Sequence, residues 1–170
     1  MMTCVGIEID GMTDQQRRRR IYFDSNAFIY AIESVDDVAT VLHSLFGALR
    51  KQGTSACTSE FTLAEILPKA NSAQRRSYFT LILHSGLFDL VPVTRDILIE
   101  TAEYRKFLLR PNFDTKQSMP KLPDAIHVVT AVKAGCDTFV SFDRGLKLPV
   151  GIDRVGREDD GLLKLVQELS

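Results

Sequence analysis

Short apolar runs of strand length alternate along this chain with segments of helical period, and that alternation restricts the fold more than any other feature. Ile21–Phe23, Thr54–Thr58, Leu87–Val93 and Thr138–Phe142 are the strand candidates, with a further short one around Val150–Val155. Between them, a helix is expected from about Asn26 to Glu33. Val38, Val41, Leu42, Leu45, Phe46 and Leu49 then recur at i, i+3, i+4, i+7, i+8 and i+11, an amphipathic helix ended by Gly53. Ser59 suits the start of a helix reaching about Pro68, and Asn71 or Ser72 can cap another that reaches about Ser85, where Gly86 breaks it. Thr94 caps a long helix with Ile97, Thr101, Tyr104 and Leu108 on one face. A polar loop, Pro111–Pro120, leads to helix 123–134, which is expected to bury Ala125, Val128, Val129 and Val132 and to end at Gly135. Leu162, Leu163, Leu165 and Val166 suit a final helix. Strands and helices in this order imply a parallel sheet covered on both faces, and such sheets bind ligands beyond the C-terminal ends of their strands.

A chain of 170 residues, 45% hydrophobic and 25% charged, is of the size and composition of one globular domain, here expected over residues 20–170. Residues 1–16 lack clear periodicity, 1–19 read as a flexible N-terminal extension, and the Arg17–Arg20 run reads as a solvated charge block before the first strand. The net charge of −1 creates no global field for a polyanion, so any such site must be a local basic patch. Cys4, Cys57 and Cys136 form neither a CxxC pair nor an even disulfide set, and the last two read as buried thiols of a reducing compartment. No apolar run approaches 18 residues, so no membrane span is expected, and the charges near the N-terminus follow its weakly apolar start, the reverse of a signal peptide. A cytoplasmic location is expected.

Four acids stand where elements begin, end or abut: Asp24 after Arg20–Phe23, Glu65 in the apolar stretch Phe61–Leu67, Asp124 at the start of helix 123–134, and Asp143 after Thr138–Phe142. Each has an ordinary structural role available. Asp24 is a good N-cap, although Ser25 and Asn26 compete for that job, and Asn26 could instead order a metal-bound carboxylate. Glu65 can pair with Lys69 at i+4, which stabilises a helix by about 0.2–0.5 kcal/mol. Asp124 follows Pro123 and complements the helix dipole, but has no lysine or arginine at i+3 or i+4; Asp143 can pair with Lys147. If the fold gathers the four, their repulsion amounts to roughly 4 kcal/mol per pair at 4 Å and an effective dielectric of about 20. A hard divalent cation relieves that repulsion through oxygen ligands. Metal-dependent phosphodiester chemistry is therefore the first functional hypothesis.

Other chemistries find less support. His43, His84 and His127 lack metal-ligand spacing and read as ordinary helix residues, and no GxGxxG, P-loop or GxSxG occurs. A phosphorylation receiver would need an acceptor Asp after the middle strand and a Lys after the last, where this chain has Thr58-Ser59 and Asp143. A phosphatase with an Asp nucleophile would need a second Asp at position 26, occupied here by Asn.

Taken together, four segments carry a family resemblance: Tyr22-Phe23-Asp24-Ser25-Asn26, Thr62-Leu63-Ala64-Glu65-Ile66-Leu67, Leu122-Pro123-Asp124-Ala125-Ile126-His127 and Phe139-Val140-Ser141-Phe142-Asp143. In order and spacing, over roughly residues 20–150, the chain resembles a PIN-domain ribonuclease, most closely the VapC-type toxins of toxin–antitoxin pairs. The resemblance implies a three-layer α/β/α sandwich with a mainly parallel sheet, and an acidic Mg²⁺ or Mn²⁺ site made of Asp24, Glu65, Asp124 and Asp143. Ser141 matches a position where the family places Ser or Thr near the metal. An RNA substrate, a homodimer and an inhibiting antitoxin partner are implied as well. Lys116, Lys121, Arg144 and Lys147 are the candidate contacts to RNA phosphates, and Glu65 is the candidate for orienting the attacking water. The rival function is a non-catalytic PIN module that binds RNA or protein.

Overall fold

The computed structural model describes residues 19–108 and 119–170. The expected extension up to residue 18 and most of the polar loop, including Lys116, lie outside the described residues.

Five strands form one sheet, β1 Arg20–Phe23, β2 Ser55–Ser59, β3 Phe88–Val91, β4 Thr138–Val140 and β5 Asp153–Val155, in the order β3-β2-β1-β4-β5. Every pairing is parallel, with Tyr22 opposite Cys57 on one side and Phe139 on the other. The order runs one way from β1 to β3 and the other way through β4 and β5, so the topological switch point lies between β1 and β4. Open parallel sheets bind their ligands at such a crevice.

Seven α-helices among the described residues enclose the sheet: α1 Ser25–Glu33, α2 Asp37–Gln52, α3 Phe61–Ile66, α4 Ser72–Tyr78, α5 Arg95–Leu108, α6 Leu122–Lys133 and α7 Gly161–Glu168. α1, α2, α4 and α7 pack together over one face, while α5 and α6 pack against each other on the opposite side, and α6 also contacts β2. The expected three-layer sandwich and mainly parallel sheet are what the chain forms. Local chemistry sets most boundaries. Gly53 closes α2 at φ 61, a left-handed conformation that costs glycine little. Asn71 starts α4 in a reciprocal capping box with Gln74. A π-helical turn, Phe79–His84, follows α4 directly and carries the chain to Ser85.

Successive residues of β1 serve opposite faces. Phe23 joins an aromatic group in which Phe23, Phe28 and Phe46 each meet Phe88, with ring centroids 5.0–5.5 Å apart. This group is part of the larger core with Leu42, Leu45, Leu49, Ile82 and Leu165. Tyr22 lies in a smaller cluster with Cys57, Val128, Ala131, Cys136 and Phe139. Both cysteines are buried free thiols, as the sequence suggests, with their Sγ atoms 3.3 Å apart.

Three expectations need correction. Val132 is 47% exposed: it rims an open groove to which α5 contributes Glu100 and Glu103 as well as Tyr104. The last long strand stops at Val140, since the three residues of β5 pair only with Thr138–Val140; Ser141 and Phe142 already lead away. Arg19 and Arg20 are not part of a solvated block. Arg19 pairs with Glu168 and donates to Thr138 Oγ1, and Arg20 opens β1 and pairs with Asp89 at 3.2 Å.

Candidate active site

The switch point is built from the residues that leave β1 and β4. Asp24 follows the last residue of β1 and caps α1, its Oδ1 accepting the Ala27 N–H at 3.1 Å. It is 7% exposed. Burial pushes its pKa up to about 6, against hydrogen bonding from Ser141 and from the backbone N–H groups of Ala27 and Asn26. Ser141, fully buried just past β4, also accepts the Asp143 N–H at 3.2 Å, so its hydroxyl joins Asp24 to the Asp143 loop across the crevice. Asp143 Oδ1 accepts the Gly145 N–H at 2.7 Å. A side chain at position 145 would place its Cβ 3.2 Å from that oxygen, so glycine lets the loop turn tightly around the carboxylate.

Asp124 enters from the opposite face, in the first turn of α6 after Pro123. It is half-buried, and its pKa is raised by burial and then by the charge of Asp143, with Lys121 opposing and Glu65 adding to the rise. An acid that merely complemented a helix dipole in solvent would be held down, so it is burial first, and the neighbouring carboxylates after it, that set Asp124 apart from such a group. Asp124 and Asp143 line one cavity of about 400 Å³ with Lys121, Lys147, Tyr104 and Leu146.

Glu65 has no ion pair with Lys69; its partner lies on α6. His127 Nε2 sits 2.7 Å from Glu65 Oε2, and Ser25 Oγ donates to the same oxygen. Burial would raise the pKa of Glu65, but the hydrogen bonds from His127 and Ser25 outweigh it and hold the carboxyl below its usual range. Glu65 is thus kept ionised. The three residues competing to cap α1 divide the work: Asp24 caps, Ser25 turns inward to Glu65, and the Asn26 side chain is exposed while its N–H faces Asp24.

The fold therefore brings Asp24, Glu65, Asp124 and Asp143 to one strand edge, with Ser141 between two of them. Of the candidate cations, Lys121 and Lys147 line the cavity, whereas Arg144 is 78% exposed and stands 3.7 Å from Glu158. No three His, Cys, Asp or Glu side chains among the described residues stand together closely enough to hold a metal ion. Sequence reasoning passed over His127, Tyr22 and Ser25. The signal for His127 was its position three residues after Asp124, which puts both on one face of α6.

A family model described as PIN domain matches residues 21–149, most of the chain and all four acids. The chain belongs to the PIN-domain family. Solved structures share this PIN fold at low identity. VapBC2 from Rickettsia felis, bound to a DNA fragment from its promoter, aligns with a TM-score of 0.55 and 16% identity, over 76% of this chain and 97% of that one. A toxin–antitoxin complex from Klebsiella pneumoniae aligns at 0.55 and 18%, over 78% and 95%. Mycobacterium tuberculosis VapC20, a toxin that cleaves the sarcin–ricin loop, aligns at 0.53 and 17%, over 72% and 89%. No curated protein sequence matches the chain. Among the described residues of this PIN domain, no helix is long and apolar enough to cross a membrane.

Proposed function

We propose that this protein is a divalent-metal-dependent endoribonuclease, using Mg²⁺ or Mn²⁺, and that it serves as the toxin of a toxin–antitoxin pair. The observation that carries this reading is the convergence of Asp24, Glu65, Asp124 and Asp143, from four separate segments, at the switch point of a PIN fold. The donor set fits such an ion: all four side chains offer hard oxygen ligands, burial raises Asp24, and burial and the charge of Asp143 raise Asp124, a burden that a cation removes. When bound, the ion supplies Lewis-acid polarisation of the scissile phosphate and a bound water of lowered pKa.

The chain's own residues do the rest. Asp24, Asp124 and Asp143 would hold the ion, with Ser141 keeping Asp24 and the Asp143 loop in register. Glu65, held ionised, would orient the attacking water. Lys121 and Lys147, beside the acids in the cavity, would take RNA phosphates. Lys116 and Arg144 are further candidates on the ground of their positions in the sequence alone. The toxin role, with an antitoxin partner in the cytoplasm, rests on likeness to the toxin–antitoxin structures. Self-association into a homodimer is supported by exposed Leu98, Ile99 and Phe107 on α5 and Val132 on α6.

The test is cleavage of RNA by the purified chain with Mn²⁺ or Mg²⁺, with and without EDTA, beside Asp24→Asn and Asp124→Asn. Metal-dependent cleavage lost in both folded variants supports the reading. Cleavage that survives chelation, or equal activity in the variants, overturns it, and RNA binding without cleavage would assign the site to a binding module.

A further inference from the structure

His127 is 4% exposed, yet every nitrogen of its ring is engaged. Nδ1 lies 2.7 Å from the hydroxyl of Tyr22, and Nε2 lies 2.7 Å from Glu65 Oε2 and 3.2 Å from Ser25 Oγ. The direction of these bonds follows from proton counting. The Ser59 N–H donates to Tyr22 Oη at 3.2 Å, so that oxygen already acts as acceptor. The ionised Glu65 carboxylate can only accept, so a ring proton resides on Nε2, aimed at Oε2, and in the neutral ring Nδ1 is left to accept the phenol proton of Tyr22. Ser25 completes the set by donating to Glu65 Oε2 while its own lone pairs face Nε2.

The ring is also held sterically, edge-on to Tyr22 and to Phe61 with both centroids 5.9 Å away. The chain of bonds runs from the backbone of β2, through the phenol on β1 and the imidazole on α6, to the carboxylate on α3. Four elements that approach the site from different directions are thereby fixed relative to one another.

We propose that His127 is a positioning residue of the nuclease site, which fixes Glu65 by its Oε2 in a single rotamer and so leaves Oε1 as the oxygen that meets the ion or its water. The inference rests on the nuclease reading above. It assigns His127 no contact with RNA and no proton transfer. It acts through preorganisation: Glu65 does not have to be ordered when the ion and substrate arrive. Partners of this kind contribute about 10- to 100-fold in metal affinity or activity.

The experiment uses the full chain in five forms: wild type, Glu65→Gln, His127→Phe, His127→Gln and Tyr22→Phe, each checked for folding by thermal melting. Mn²⁺ binding is measured by calorimetry without RNA, and kcat and KM are measured on single-stranded RNA at saturating Mn²⁺. His127→Phe is expected to weaken Mn²⁺ binding or lower kcat by about 10- to 100-fold, with KM for RNA within twofold. His127→Gln, which keeps an N–H donor for Glu65, is expected to recover at least half of that loss on a logarithmic scale. Tyr22→Phe, which removes the phenol that sets the Nδ1 side, gives a smaller loss in the same two quantities and decides the matter if His127→Phe does not fold. Wild-type Mn²⁺ affinity and kcat in folded His127→Phe, or His127→Gln as impaired as His127→Phe, overturns the proposal. Wild-type chain that neither binds Mn²⁺ nor cleaves RNA, or Glu65→Gln equal to wild type, overturns the nuclease reading itself.

Discussion

Tyr22 and Phe23 are neighbours on the same central strand and are both fully buried, but they serve opposite ends. The Phe23 ring faces an aromatic layer of Phe28, Phe46 and Phe88. Tyr22 faces a thinner layer in which its hydroxyl, His127, Ser25 and Glu65 form one hydrogen-bonded chain. One face of β1 supplies cohesion, and the other transmits position to the strand edge. A single step along a strand separates the two because successive side chains point to opposite faces.

The largest effect is expected at Phe23. Phe23→Ala should cost about 3–5 kcal/mol of stability, measured by urea denaturation, since it opens a cavity among three other rings. A loss under about 1 kcal/mol would show that the aromatic face is not the cohesive one. On the other side, Asp124→Asn should remove RNA cleavage to below about one hundredth of wild type while the urea midpoint does not fall, and EDTA should likewise stop cleavage by wild type. Cleavage retained by Asp124→Asn would sever the carboxylate edge from the chemistry.

Asp24 sharpens the contrast because it is both buried and charged. Its folded pKa of about 6 lies above its usual 3.8, so the folded state holds a proton that the unfolded state has released. Stability attributable to this group is therefore greatest below about pH 4 and is lost as pH rises from about 4 to about 6. The loss is on the order of 3 kcal/mol at about 1.4 kcal/mol per unit. Asp24→Asn, which keeps a cap oxygen for Ala27, should recover about 2 kcal/mol at pH 7.5 while abolishing cleavage. Chemical denaturation at pH 4 and pH 7.5 reads the difference, and a variant less stable than wild type at pH 7.5 would contradict it. The smallest effect is expected far from both faces. Asn71→Ala removes the capping box of α4 and should cost about 1 kcal/mol with unchanged cleavage, by the same two assays.

The sheet and its helices were legible in the sequence because local signals and tertiary structure agree there. Gly53, Asn71 and Gly86 punctuate the chain where the elements end, and the apolar period of α2 matches its buried stripe. The positions of the four acids were legible for the same reason, since the strand ends could be located. Their partners were not. Glu65 has an adequate local partner in Lys69, and only the packing of α3 against α6 brings His127 to it instead. Tyr22 reads as strand filler in any window of sequence, and its role depends on a hydroxyl reaching an imidazole 105 residues later. Val132 failed for the converse reason: its period is correct, but it rims an open groove to which the opposing helix contributes carboxylates.

The central position of β1 also sets the order in which the site can come into being. Its neighbours are β2 on one side and β4 on the other, and Ile21 meets Thr138 only after most of the chain has been made. Until then one edge of β1 has no strand beside it, and Asp24 has no Ser141 to join it to Asp143. Parallel pairings of such long sequence separation are among the slowest steps in folding. On a polypeptide still emerging from the ribosome the composite edge therefore stays incomplete until synthesis has passed residue 143.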